Sequence, residues 1–151
     1  LQSSTKVLIV GAGPSGLLLA YALARQNVPV RVLEKHSRDK LLDTAGQAAF
    51  YVVSLYLRGI SALQSVGINP FEDPGFKSAA YTKILMGRPG GKARGKKLEA
   101  VKQLHVTRHH VASMLLRRCE ADFPELITIS HEAAVHEVHE GNTVTVSTSD
   151  G

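Results

Sequence analysis

The tightest constraint on this chain is a single turn near its start. Val7-Leu8-Ile9-Val10 is a short apolar run without charge, and it predicts a strand buried on both faces, as in a parallel sheet. It runs directly into Gly11-Ala12-Gly13-Pro14-Ser15-Gly16, with glycines at the spacing G-x-G-x-x-G. A Leu- and Ala-rich stretch from Leu17 to Arg25 then predicts a helix, and Val30-Arg31-Val32-Leu33 predicts a second strand ending in Glu34. Strand, tight turn, helix, strand and acid stand in the order that a dinucleotide site requires. Gly11 lets the chain leave the strand sharply. Gly13, lacking a Cβ, lets a pyrophosphate approach the backbone, and Gly16 lets the helix lie close on the sheet. The helix, read as Ser15 to Gln26, offers unpaired N–H groups and a partial positive charge to the phosphates, and Pro14 and Ser15 count with the glycines as cofactor-binding residues. Glu34, eighteen residues after Gly16, is placed to accept hydrogen bonds from a ribose. Without a ligand, the same pattern would read as a tight βα turn in a scaffold copy of the fold.

The rest of the composition narrows the class. A chain of 151 residues with 44% hydrophobic content suits one packed domain, residues 1–151, with no linker. No apolar run is long enough to span a bilayer as a helix. The chain begins at Leu1 without Met, as a processed or partial chain would. One cysteine, Cys119, excludes an internal disulfide and reads as half-buried helix packing. The net charge of +5 is concentrated at Lys77, Lys83, Arg88, Lys92, Arg94, Lys96, Lys97 and Lys102, against Glu99 alone. No aromatic residue is interleaved between Arg88 and Lys102, so a stacking platform for nucleic acid is not expected. A solvated Gly- and Lys-rich loop is the preferred reading of that stretch.

Further elements follow in order. Lys35 to Thr44 reads as a polar loop, in which Lys35 or Arg38 could supply a second cation near the phosphates. Ala45–Val53 is unclassified, and Ser54–Leu57 could extend it as a strand. Arg58–Val66 reads as a helix with Ile60, Leu63 and Val66 on one face, closed by Gly67. Ala79–Met86 reads as a strand, Gly87–Lys97 as a basic loop or hairpin tip, and Gln103–Val106 as a short extended run. Thr107 is a suitable N-cap for a helix from Arg108 to Ala121, with Val111, Met114, Leu115 and Cys119 approximating one face. Leu126–Ser130 reads as a strand, and Ala134–Val138 and Thr143–Ser147 as a hairpin joined at Glu140-Gly141-Asn142. His105 and His109 stand four apart, a spacing that a helical metal pair would need, but His105 precedes the N-cap and no metal site is expected.

The pieces Gly11-Ala12-Gly13-Pro14-Ser15-Gly16-Leu17, Val32-Leu33-Glu34-Lys35, Ser54 to Leu63 and His105-Val106-Thr107-Arg108 form a pattern that resembles the N-terminal part of the FAD-dependent aromatic hydroxylases, the p-hydroxybenzoate hydroxylase-like flavoprotein monooxygenases. Within that group it is most similar to the kynurenine 3-monooxygenases. The resemblance implies an α/β, Rossmann-like FAD/NAD(P)-binding fold with a parallel sheet and a β-hairpin near the C-terminus, incomplete relative to the family. It implies FAD bound with its ADP half on the glycine turn, Glu34 on the ribose, and Arg108 helping to hold the cofactor, with Lys35 beside them. It also implies NADPH as reductant and O2 as the source of the oxygen atom placed on an aromatic or related small-molecule substrate.

Three departures accompany the resemblance. Gln47 stands where the family usually has Arg after the glycine aligned with Gly46. Lys83 and Lys96 fall near the positions at which kynurenine enzymes use an Arg and a Tyr, so substrate is not carried over from that subgroup. The family's Asp-Gly motif follows the hairpin that ends this chain and its Gly-Asp motif comes later still, and both are absent from this sequence. The expectation is therefore the FAD-binding region of a longer monooxygenase. The alternatives are a truncated, non-catalytic flavoprotein-like accessory or scaffold subunit, with a partner protein covering its C-terminal edge, and an NAD-binding dehydrogenase domain.

Overall fold

The computed structural model describes residues 7–43, 52–86, 94–139 and 145–148, with side chains described in those ranges except at 79–102 and 145. The element order is β1 (Val7–Val10), α1 (Pro14–Ala24), β2 (Val30–Leu33), α2 (Arg38–Leu42), β3 (Val52–Leu55), α3 (Leu57–Ser65), β4 (Lys77–Met86), β5 (Arg94–Thr107), α4 (Arg108–Asp122), β6 (Ile127–Ser130), β7 (Val135–His139) and β8 (Thr145–Thr148). The contacts divide the chain into two compact units, Leu1–Tyr51 with Thr107–Gly151, and Val52–Val106.

In the first unit β1, β2 and β6 form a parallel sheet in the order β1-β2-β6. Val7 pairs with Val30 and Val10 with Leu33, while Val30 pairs with Ile127 and Leu33 with Ser130. A parallel sheet is the fold class expected from the glycine turn. The strand expected to be buried on both faces differs: Val10 is 58% and Leu8 40% exposed, while Ile9 is buried. Among the described residues β1 is an edge strand, and only the face bearing Ile9 is covered.

Helices α1 and α4 pack against each other and supply most of this unit's core. Leu17, Ala20, Leu115, Leu116 and Cys119 are fully buried, and each Leu contributes about 1.5–3 kcal/mol by leaving water. Two polar links fix the pair. The Tyr21 hydroxyl donates to Asp122 Oδ2 at 2.6 Å, and the Cys119 thiol donates to the Leu17 carbonyl at 3.6 Å. Burial and the Asp122 hydrogen bond push the Tyr21 phenol up from its ordinary value. The Tyr21 ring also meets Phe123 edge to face, with centroids 5.1 Å apart. Cys119 is more enclosed than expected: burial, then the charges of Glu120 and Asp122, push its thiol up to about 12, which makes it inert packing. The expected apolar face of α4 is also too narrow. Val111, Leu115 and Cys119 are buried and Met114 is only half-buried, while His109, Ala112, Ser113 and Leu116 are buried as well.

The stretch expected to be a loop after Glu34 contains α2. Ser37 caps it, its side chain accepting from the Lys40 N–H at 3.4 Å. Arg38 then forms a two-pronged bridge to Glu120 on α4, Nε to Oε1 at 2.7 Å and Nη2 to Oε2 at 2.8 Å. Five residues seldom hold a helix by themselves; here the Ser37 cap, packing on α4 and this bridge support it together. The hairpin near the C-terminus is β7 with β8, antiparallel, with Val138 opposite Val146; its expected turn at 140–142 lies outside the described residues.

In the second unit the sheet order is β3-β5-β4. β4 and β5 run antiparallel from Lys77 opposite His105 to Met86 opposite Arg94, with a register shift between Tyr81 and Lys83. The basic stretch expected as a loop through Lys97 is therefore strand from Arg94 onward. Cross-strand pairing with β4 overrides the weak strand preference of its Gly and Lys residues. Helix α3 starts one residue before the expected Arg58, and its Ile60 and Leu63 are buried as the spacing predicted.

Candidate functional site

The site is built from three chain segments of the first unit. β1 ends and Gly11 turns, with φ at +99°, a conformation that a side chain would strain. The Gly11 N–H donates to the Leu33 carbonyl at 2.7 Å, tying the turn to the end of β2. Gly13 is then the N-cap of α1 in extended geometry and Pro14 its first helical residue. No side chain caps this helix and its first turn holds no acid, so its amino end keeps the donors and partial positive charge that suit a phosphate. Gly16 is needed for packing: a Cβ there would collide with the Gly11 carbonyl oxygen and lie 3.3 Å from Ile9 Cγ2.

Glu34 leaves the end of β2 into this turn and is 6% exposed. Its Oε2 accepts from the Ala12 N–H at 2.6 Å and its Oε1 from the His36 N–H at 2.9 Å. The carboxylate thus has a structural task that the sequence did not suggest: it clamps the glycine turn to the residues after β2. Each oxygen retains a second acceptor direction, so ribose hydroxyls can still donate to it.

The third segment is the start of α4. The Thr107 side chain accepts from the His110 N–H at 3.0 Å, the N-cap expected from the sequence. Arg108, the first helical residue, extends over the glycine turn: an ideal Cβ on Gly13 would stand 3.4 Å from its Nη2. A guanidinium and an uncapped helix N-terminus therefore share one place, a strong arrangement for a diphosphate.

These groups enclose a cavity of about 690 Å3 lined by Gly11, Gly13, Pro14, Glu34, Lys35 and Arg108, with His36, Lys40, Leu41, His109, Ala112 and Ala133–Val135 completing the wall. Of the expected site residues, Ser15 is exposed and, with Gly16, does not line the cavity. Arg38, considered as a second cation, is committed to Glu120 and also does not line it; that hydrogen bond holds the Glu120 carboxyl below its ordinary range. Lys40 and Leu41 escape the sequence because α2 lies in a stretch that reads as a loop, and the spacing singles out His109 only as a partner of His105. The latter lies in β5 opposite Lys77, so the two histidines do not share a helix. Among the described residues no group of three or more His, Cys, Asp or Glu side chains gathers as a metal site would. Gln47 lies outside the described residues, and at Lys83 and Lys96 only the strand positions are described.

A parallel βαβ unit with a glycine turn, a buried acid at the end of the second strand and a cation over the turn defines an adenine-dinucleotide-binding domain. Comparison makes the assignment narrower. The profile of the FAD binding domain family matches residues 4–108, and the chain belongs to that family. No curated protein matches the chain. Solved structures share its fold. Against p-nitrophenol 4-monooxygenase PnpA from Pseudomonas putida DLL-E4 the TM-score is 0.68 at 20% identity, covering 95% of this chain and 36% of that one. Against PqsL from Pseudomonas aeruginosa, described as a probable FAD-dependent monooxygenase, the TM-score is also 0.68 at 20% identity, covering 96% and 38%. The Diels-Alderase PyrE3 of pyrroindomycin biosynthesis gives 0.67 at 18%, covering 98% and 30%. The chain thus spans roughly a third of the length of these proteins. The residues present fit the ADP half of FAD: a cradle at Gly13 that a side chain would fill, a carboxylate with acceptor capacity for a ribose, and a guanidinium over the turn.

Proposed function

We propose that this chain is the FAD-binding part of an NADPH- and O2-dependent flavoprotein monooxygenase acting on an aromatic or related small molecule. The observation that carries the reading is Arg108 held against Gly13. The glycine turn and Glu34 alone would serve any adenine dinucleotide. The Thr-Arg-led helix adds the side chain that the resemblance assigns to FAD, and the family match supports it.

In this reading the chain binds and orients. The N-terminus of α1 and the Arg108 guanidinium hold the diphosphate, and Glu34 accepts from the ribose hydroxyls while keeping the turn in shape. Ala12 is fully buried, and Leu41 helps to enclose the cavity. Bound FAD would supply the redox chemistry, in which NADPH provides the hydride and O2 the oxygen atom placed on the substrate, its second atom leaving as water. The aromatic substrate and NADPH rest on the resemblance.

The test is a visible absorption spectrum of the protein isolated from its source, taken after gel filtration with intact mass recorded on the same peak, followed by FAD titration and NADPH oxidation across a panel of phenols and anilines. A flavin spectrum with substrate-stimulated NADPH oxidation is the expected result. A colourless protein that takes up no FAD on titration refutes the proposal.

A further inference from the structure

The cavity wall contains one side chain that neither the glycine motif nor the family resemblance assigns. His109, the second residue of α4, is 9% exposed and lines the cavity, yet its Nε2 is buried with no hydrogen-bond partner. An orphaned buried imidazole nitrogen carries a desolvation cost that folding alone does not offset. Its position suggests what offsets that cost. His109 adjoins Arg108, whose Nη2 reaches the Gly13 turn. It lies in the first turn of a 15-residue helix, where the N-terminal dipole favours an anion. The wall also carries Lys35 and Lys40, with Glu34 the only acid among the lining residues. Each Glu34 oxygen already accepts one backbone N–H, so the charged side chains of the wall offer more donors than acceptors. A phosphate oxygen is the partner that suits this excess.

We propose that His109 is a phosphate-binding residue of this chain, donating a ring N–H to the diphosphate of the bound nucleotide beside Arg108. The inference rests on the nucleotide-binding reading above. The Nε2 atom is sealed from the open cavity in the ligand-free chain, so the donation requires the ring to turn toward the cavity as the nucleotide enters. The two helices then divide the work: α1 offers backbone N–H groups from one side, and α4 offers Arg108 and His109 from the other.

The experiment compares the full chain with His109→Leu and His109→Gln by titration with FAD, ADP and adenosine. Circular dichroism and melting without ligand verify the fold of each variant. Removing a hydrogen bond to a charged group predicts that His109→Leu weakens FAD and ADP about tenfold or more, with adenosine affinity unchanged. The Gln amide, whose Nε2 can replace the ring donor, recovers a substantial part of the loss. Wild-type binding of FAD and ADP that is matched by His109→Leu overturns the inference and leaves the FAD reading standing. An equal loss for adenosine also overturns it, because the residue would then act through cavity shape. A wild-type chain that binds neither FAD nor ADP overturns the FAD reading, and this inference with it.

Discussion

Gly16→Ala separates two physical expectations of opposite sign. Gly16 lies in the first turn of α1, and by helix propensity alone Ala there stabilises by about 1 kcal/mol. The packing predicts the reverse. The new Cβ would fall well inside 3.0 Å of the Gly11 carbonyl oxygen and 3.3 Å from both the Gly11 carbonyl carbon and Ile9 Cγ2. The obstructing atom is backbone and cannot rotate away. Gly11 itself is fixed at φ +99° by the turn and by its hydrogen bond to the Leu33 carbonyl. Helix and strand must therefore separate, at the upper end of the overpacking range, about 3 kcal/mol. After the propensity gain the net loss is about 2 kcal/mol, which for a chain of this size lowers the melting temperature by about 4–8 °C. Gly13→Ala is the matched control: its Cβ would have ordinary contact with Arg108 Nη2 at 3.4 Å, and its φ of −73° suits any residue. That variant melts within about 2 °C of the wild type and loses FAD, because the methyl group occupies the diphosphate's approach. The assay is thermal unfolding without ligand, followed by FAD titration. A Gly16→Ala chain that melts at or above the wild-type temperature refutes the reasoning, as does a Gly13→Ala chain that binds FAD normally.

Glu34→Gln keeps the side chain's shape but turns one acceptor into an amide N–H facing a backbone donor. A loss of about 1.5–3 kcal/mol in stability is expected from one charge-assisted bond, together with weaker FAD binding, read by melting and titration. Tyr21→Phe removes the hydrogen bond to Asp122 while leaving the ring on Phe123; a loss of about 1 kcal/mol is expected from denaturant unfolding. The Arg38–Glu120 bridge gives a pH signature: the Glu120 carboxyl is held below its ordinary range chiefly by the Arg38 hydrogen bond. Its stabilisation is therefore present above that range and lost as pH falls through the lowered folded value. Glu120→Gln should melt below the wild type at pH 7, with the gap closing as pH falls below the ordinary carboxylate range and through the lowered folded value; a gap independent of pH rules out the bridge as its source.

The parts of the site legible in the sequence are those fixed by local backbone demands. Gly11 must turn with positive φ, Gly16 must admit a close strand, and Thr107 must cap α4; each requirement selects a residue type. What escaped depends on partners far along the chain. Helix α2 packs on α4 and is linked to it through Glu120, eighty-two residues beyond Arg38. The first half of β5 is strand because β4 lies beside it, although its composition reads as loop. His109 escaped for a related reason. A four-residue apolar period describes one stripe, whereas α4 is covered on several sides, so a polar residue outside the stripe can still be buried against a cavity. The exposure of β1 is a tertiary fact as well: a charge-free run is compatible with burial on either one face or two.

The same packing explains why so small a site can be accurate. Gly13 and Arg108 are ninety-five positions apart in sequence, and under the proposed function a diphosphate would need them in register to within a fraction of an ångström. That register is set by the α1–α4 interface: Leu17 and Ala20 meet the face that carries Leu115, Leu116 and Cys119, and the interface is fixed lengthwise by Tyr21 on Asp122 and by the Cys119 thiol on the Leu17 carbonyl. Core and site are thus one mechanical object, and a cavity opened between the two helices would move the guanidinium relative to the turn without touching either. Proteins that share this fold at 20% identity or less include a nitrophenol monooxygenase and a Diels-Alderase. Their likeness to this chain is one of fold alone, so the function of each rests on its own site and not on the shared packing.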